Sequence, residues 1–190
     1  MKRDGRPESA LFPSVFDRPP RTGSQYSTGD YIFGAGSLSS RLGNRVRQKE
    51  GLSYGVGSNL GASPFDQRAS ITMQAICNPQ NVDKVVTAIK EELDKLLADG
   101  VTQDELDKAK QGYLQNQKVR RASDVGLAAS LAQLSHEGRT MKFTADLERK
   151  IDALTPEQVA AAIRKRLHPE NLLIVTAGDF KKAGSSAESR

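Results

Sequence analysis

Apolar positions recur at helical spacing through Val82, Val85, Val86, Ile89, Leu93, Leu96 and Leu97, between an opening Asn78-Pro79 and a closing Gly100. One apolar stripe with a start signal and a glycine stop predicts an amphipathic helix packed on a core. Thr102-Gln-Asp-Glu105 has the form of a capping box and starts a second helix through Leu106, Ala109 and Tyr113. Helical spacing resumes from Ser123 through Leu127, Leu131 and Leu134. Thr155-Pro156-Glu157-Gln158 starts another helix through Val159, Ile163 and Leu167. Upstream, Ser37–Lys49 places Leu38, Leu42 and Val46 on one face and Arg41, Arg45 and Lys49 on another, which reads as a solvated or partner-facing surface. Gly51 follows as a stop. Leu52 to Val56 then alternates as a strand, Arg68 to Cys77 reads as its neighbour, and Asn171–Ala177 is an apolar run of strand length. Two strands, a helical block and a final strand predict an α+β fold, a small and mostly antiparallel sheet with helices on one face.

The ends of the chain depart from this pattern. Residues 1–29 contain Pro7, Pro13, Pro19 and Pro20 with scattered apolar residues and no period, so they are expected to be an extended, disordered segment. Residues 181–190 form a polar tail, leaving 30–180 as the expected folded unit.

The chain has 190 residues and a net charge of +5. Nine Lys/Arg against five Asp/Glu fall in the first 50 residues, so the rest is nearly neutral and offers no basic groove interleaved with aromatics. Nucleic acid is therefore not expected as a partner. No apolar run reaches the length of a membrane span, and Met1 to Arg21 lacks the apolar stretch of a signal peptide. As written, the chain is expected neither at a membrane nor exported.

Several chemistries fail on the residues. Gly34-Ala35-Gly36 lacks the strand, glycine spacing and helix of a dinucleotide site. There is no phosphate-binding G-x-x-x-x-G-K-[ST], no H-E-x-x-H and no H-x-x-E-H. His136 and His168 have no ligand at metal spacing, and the single Cys77 reads as a small core residue at a strand end. No metal or cofactor is expected on this chain.

One stretch is more specific. Gly34-Ala-Gly-Ser-Leu-Ser-Ser-Arg-Leu, followed by Arg47-Gln-Lys-Glu-Gly-Leu-Ser-Tyr54-Gly-Val, resembles the non-zinc, C-terminal half of the pitrilysin/insulinase family of zinc metallopeptidases. Mitochondrial processing peptidases and respiratory core proteins are among its relatives. Three further blocks fall in the family's order: Gly100-Val-Thr-Gln-Asp-Glu-Leu-Asp-Lys-Ala-Lys, Leu154-Thr-Pro-Glu-Gln-Val, and His168-Pro-Glu-Asn-Leu with a strand ending at Gly178-Asp179. The resemblance runs from about Asp30 to Phe180.

It implies a division of labour. Zinc and the general base belong to the other half, which is missing here or is a partner, so this chain is expected to be inactive alone. The non-zinc half contributes an Arg and a Tyr, which map onto Arg47 and Tyr54, and these are expected to contact the substrate carbonyl. Gly34, Gly36 and Ser37 are candidates for contact with substrate backbone through free N–H groups, or else form a tight turn with a serine cap. On periodicity alone Tyr54, sharing a strand face with Leu52 and Val56, is a core aromatic, and Arg47 complements a helix dipole. The alternative function is a catalytically silent structural or assembly subunit. The strand and most of the helix that precede the glycine-rich segment in the family are not recognisable in residues 1–29; only Asp30-Tyr-Ile-Phe resembles the tail of that helix. The chain therefore looks truncated, with one sheet edge expected to be uncovered and self-association a possible consequence.

Overall fold

The computed structural model describes residues 8–17, 24–35, 40–62 and 68–178. A four-stranded antiparallel sheet forms from β1 (Glu8–Asp17), β2 (Ser53–Ala62), β3 (Arg68–Cys77) and β4 (Val175–Ala177), in the order β2-β3-β1-β4. Helices α1 (Ser24–Phe33), α2 (Val82–Asp99), α3 (Gln103–Ala122), α4 (Asp124–His136), α5 (Met141–Asp152) and α6 (Pro156–Arg166) accompany it. A short π-helix, Gly43–Lys49, leads into β2.

The core lies between the sheet and the helices. On β3, Ala69, Ile71, Met73, Ala75 and Cys77 are buried, while Ser70, Thr72, Gln74 and Ile76 alternate with them on a more open face. That period of two marks a sheet covered on one side. Against the inner face pack Val85, Ile89, Leu93 and Leu96 of α2, with Leu42 and Val46, Leu106 of α3 and Val159 and Ile163 of α6. Each such side chain contributes about 1.5–3 kcal/mol when fully removed from water. The fold is thus the expected α+β arrangement.

Local signals behave as their chemistry requires. Both capping boxes form, Thr102 with Glu105 and Thr155 with Gln158. Gly100 ends α2 at φ +76°, a conformation costly for residues with a Cβ. The α2 terminus gains a second cap: the Arg164 guanidinium donates to the carbonyls of Leu97 and Ala98 at 2.6 and 2.9 Å.

The first thirty residues require correction. Glu8–Asp17 is a strand, paired along its whole length with β3 and, over Ser9 to Leu11, with β4. Ser24–Phe33 is a helix that buries Ile32 and Phe33. The expected disorder of residues 1–29 therefore does not hold for these parts, and the strand and helix that looked absent are present. Residues 1–7 and 18–23 lie outside the described residues, as do residues 181–190 of the expected tail. The expected strand Asn171–Ala177 shortens to Val175–Ala177. Its ladder stops at Leu11, two residues before Pro13, which has no N–H to offer a sheet. One helix, α5, is not among those the sequence pattern predicts.

Candidate functional site

β2 begins with an irregularity. Ser53 pairs with Cys77 but Gly55 pairs with Ile76, so Tyr54 is an extra residue in the strand, a β-bulge. Beyond it the pairing is regular, with Val56 opposite Ala75, Ser58 opposite Met73 and Leu60 opposite Ile71. Val56 and Leu60 consequently pack on the core. A Cβ on Gly55 would meet the Ile76 side chain at 3.7 Å, which places Gly55 on the open face. An unbroken alternation would have carried Tyr54 to the inner face with Val56. The bulge takes it out, and Tyr54 is 60% exposed. The reading of Tyr54 as a core aromatic is therefore wrong, for a reason that periodicity cannot register.

Ser53, only 5% exposed, sits inside this irregularity. Its Oγ accepts the Gly55 N–H at 3.2 Å and lies 2.7 Å from the Ile76 carbonyl oxygen and 2.8 Å from that of Gly55, either of which can take its proton.

Arg47 is exposed in the last turn of the π-helix. That helix closes wide turns, with the Glu50 N–H donating to the Arg45 carbonyl, and π-type turns recur at functional sites. Gly51 then reverses the chain at φ +60°. The Leu52 N–H donates to the Val46 carbonyl at 2.9 Å, fastening the start of β2 to the helix beneath it. Arg47 and Tyr54 thus flank one short turn. Among the described residues, neither side chain makes a hydrogen bond or an ion pair.

The other end of β2 is held from outside. Asp30 of α1, 7% exposed, accepts the Leu60 N–H at 2.8 Å and the Ser58 hydroxyl. Burial pushes the Asp30 carboxyl above its ordinary pKa, opposed by the hydrogen bonds from Ser58 and Leu60. Gly34, at the end of α1, lies so close to β2 that an added Cβ would stand 2.6 Å from the Ser58 nitrogen and Oγ. Its own N–H already donates to the Asp30 carbonyl at 2.8 Å. Gly34 therefore packs a helix end onto a strand, and its N–H is not open to substrate. Gly36 and Ser37 lie outside the described residues. The sheet edge expected to be uncovered for want of a preceding strand is occupied by β1, and the outer edge of β2 meets α1 at the Leu60 N–H.

Arg41 is also not the solvated residue expected. Its side chain is 14% exposed, and it donates to both Glu105 carboxylate oxygens, at 2.7 and 2.9 Å, and to the Gly100 carbonyl. Burial raises the Glu105 pKa, but the hydrogen bonds and charge of Arg41, with the Thr102 amide and hydroxyl, outweigh it and hold the carboxyl low. This pair ties the segment before the π-helix to the start of α3. Arg45 pairs with Glu50 and Glu91. Among the described residues, no group of three His, Cys, Asp or Glu is placed to hold a metal ion, so the residues here do not fit a zinc site. No helix among them is long and apolar enough to cross a membrane.

Residues 21–113 match the family described as Peptidase M16 inactive domain. An uncharacterized zinc protease of Streptomyces coelicolor is 34% identical over 131 residues, covering 68% of this chain and 28% of that one. The probable zinc protease PqqL of Escherichia coli is 24% identical over 136 residues, covering 71% of this chain and 15% of that protein. Among solved structures, a peptidase M16 inactive domain from Pseudomonas fluorescens superposes with a TM-score of 0.77 at 26% identity, over 92% of this chain and 42% of that one. The chain belongs to the M16 zinc peptidase family, as its inactive, non-zinc half. It spans less than a third of the length of the curated relatives it matches.

Proposed function

We propose that this half-domain forms the substrate-positioning wall of an M16 zinc endopeptidase, facing a zinc-bearing half, with Arg47 and Tyr54 directed at the peptide carbonyl. The observation that carries the reading is Tyr54: a phenol in a family motif, turned out of the core by a bulge and left without a side-chain partner, across the Gly51 turn from an Arg47 equally without one. A phenol O–H and a guanidinium both donate hydrogen bonds, and a carbonyl oxygen gains negative charge as its carbon is attacked. Donors already in place stabilise that charge without reorganising, and losing one typically costs about 2.7–4 kcal/mol in the transition state. The metal chemistry belongs to the other half. On this reading the chain alone cleaves nothing.

The test mixes the purified chain with the H-x-x-E-H-bearing half and follows cleavage of a fluorogenic peptide. Activity is expected only with both halves present, and Tyr54→Phe and Arg47→Ala each lower kcat. A stable complex whose activity ignores both substitutions would instead make this chain a structural or assembly subunit.

A further inference from the structure

We infer that Ser53 is the positioning residue that fixes the bulge in β2 at Tyr54, and thereby keeps the phenol on the open face of the sheet. The inference rests on the reading of Tyr54 given above.

β2 is fixed in register at two places that disagree by one residue. At its start, the Leu52 N–H is bonded to the Val46 carbonyl and Ser53 lies opposite Cys77. Further along, Val56 and Leu60 pack on the core opposite Ala75 and Ile71, and Asp30 holds the Leu60 N–H. Side chains alternate strictly along a strand, so one surplus residue must be absorbed between these points. Between the Leu52 hydrogen bond and the Gly55–Ile76 pair stand two residues, Ser53 and Tyr54, and either can be the surplus one. With Ser53 as the surplus residue instead, Tyr54 would stand opposite Cys77 and its ring would return to the inner face. Removing an aromatic ring from water favours that alternative.

Ser53 opposes it. A bulge interrupts the ladder, and the buried Ser53 hydroxyl takes up the groups around the interruption: it receives the Gly55 N–H and donates its proton toward the Ile76 or Gly55 carbonyl. Those three groups converge on one oxygen only while the extra residue is Tyr54. With Ser53 as the surplus residue, its side chain would leave the buried face and the hydroxyl would lose them.

The experiment uses Ser53→Ala and the isosteric pair Ser53→Thr and Ser53→Val, which differ only in the hydroxyl, in the full chain. Exposure of the Tyr54 ring to a soluble paramagnetic agent is read by NMR, with hydrogen exchange at the Gly55 N–H. The alanine and valine variants are expected to lose ring exposure and to exchange the Gly55 proton at least tenfold faster, while threonine keeps both as in the parent. With the zinc-bearing half, alanine should lower kcat toward the Tyr54→Phe value at unchanged KM, and the double variant should fall no further. A folded alanine or valine variant whose Tyr54 ring stays exposed overturns the inference whatever the activity does. If Tyr54→Phe itself leaves cleavage intact, the functional reading falls, and ring exposure still decides what Ser53 does. Should alanine not fold, the threonine and valine variants decide it by the same two readouts.

Discussion

The two ends of β2 are held in opposite ways. At Ser58–Leu60 the strand is gripped from outside, by the Asp30 carboxylate and by the close seat of Gly34, and its side chains serve the core. At Ser53–Gly55 it is gripped from within, by a hydroxyl on the same strand, and the residue so displaced serves nothing inside the molecule. One end turns binding capacity inward into stability, and the other turns it outward for use by something else. A strand needs the first to support the second, since a side chain can be presented outward only from a backbone whose register is fixed nearby.

That contrast can be broken from either side. The largest effect is expected at the outward end. Tyr54→Phe, assayed with the catalytic half, should reduce kcat about a hundredfold to a thousandfold, the usual consequence of losing one transition-state donor. Its urea midpoint should not move. At the inward end the pattern reverses: Gly34→Ala forces α1 off Ser58 and should cost about 1–3 kcal/mol in urea denaturation, as overpacking does. Turnover per folded complex should then be little changed.

Asp30→Asn sharpens the comparison through pH. Because burial raises its folded-state pKa above the ordinary 3.8, the protonated form favours folding. That contribution is fully present below the unfolded pKa and is lost as pH rises through the folded one. Glu105, held low, works in the opposite direction: its contribution is present above its unfolded value of 4.5 and lost as pH falls through the folded value. The difference between parent and Asp30→Asn, followed by denaturation from about pH 3 to pH 7, isolates the first effect. The parent should lose stability relative to the variant as pH increases. The smallest change is expected for Arg47→Ala in the isolated chain, within about 0.5 kcal/mol, since the side chain is exposed and without an internal partner.

Much of this molecule is legible in its sequence, and the exceptions have a common cause. α2, α3 and α6 declare themselves because stripe, cap and stop are all local. Arg41 reads as solvated because its partner, Glu105, is sixty-four positions away. β1 is not legible because its stability comes from β3 and β4, while its own composition, with Pro13 in mid-strand, argues against it. α5 buries only Ile151 fully and sits between stronger signals. Family resemblance singles out Tyr54 but not its face, because alternation assumes an unbroken pleat. The available hint was Ser-Tyr-Gly, a small hydroxyl residue and a glycine bracketing an aromatic at the strand start.

The strand order has a consequence for how the chain reaches this state. β1 lies between β3 and β4, both of which are synthesised after it, and Ser9 ends up opposite Ala177. An emerging chain must therefore hold a ten-residue segment unpaired until later strands arrive to enclose it. Closing so wide a loop is entropically slow, and sheet topologies of this kind fold late. Joining the two segments by circular permutation, so that β4 and β1 become a hairpin, would turn that search into a local event and should quicken refolding while leaving the finished sheet as it is.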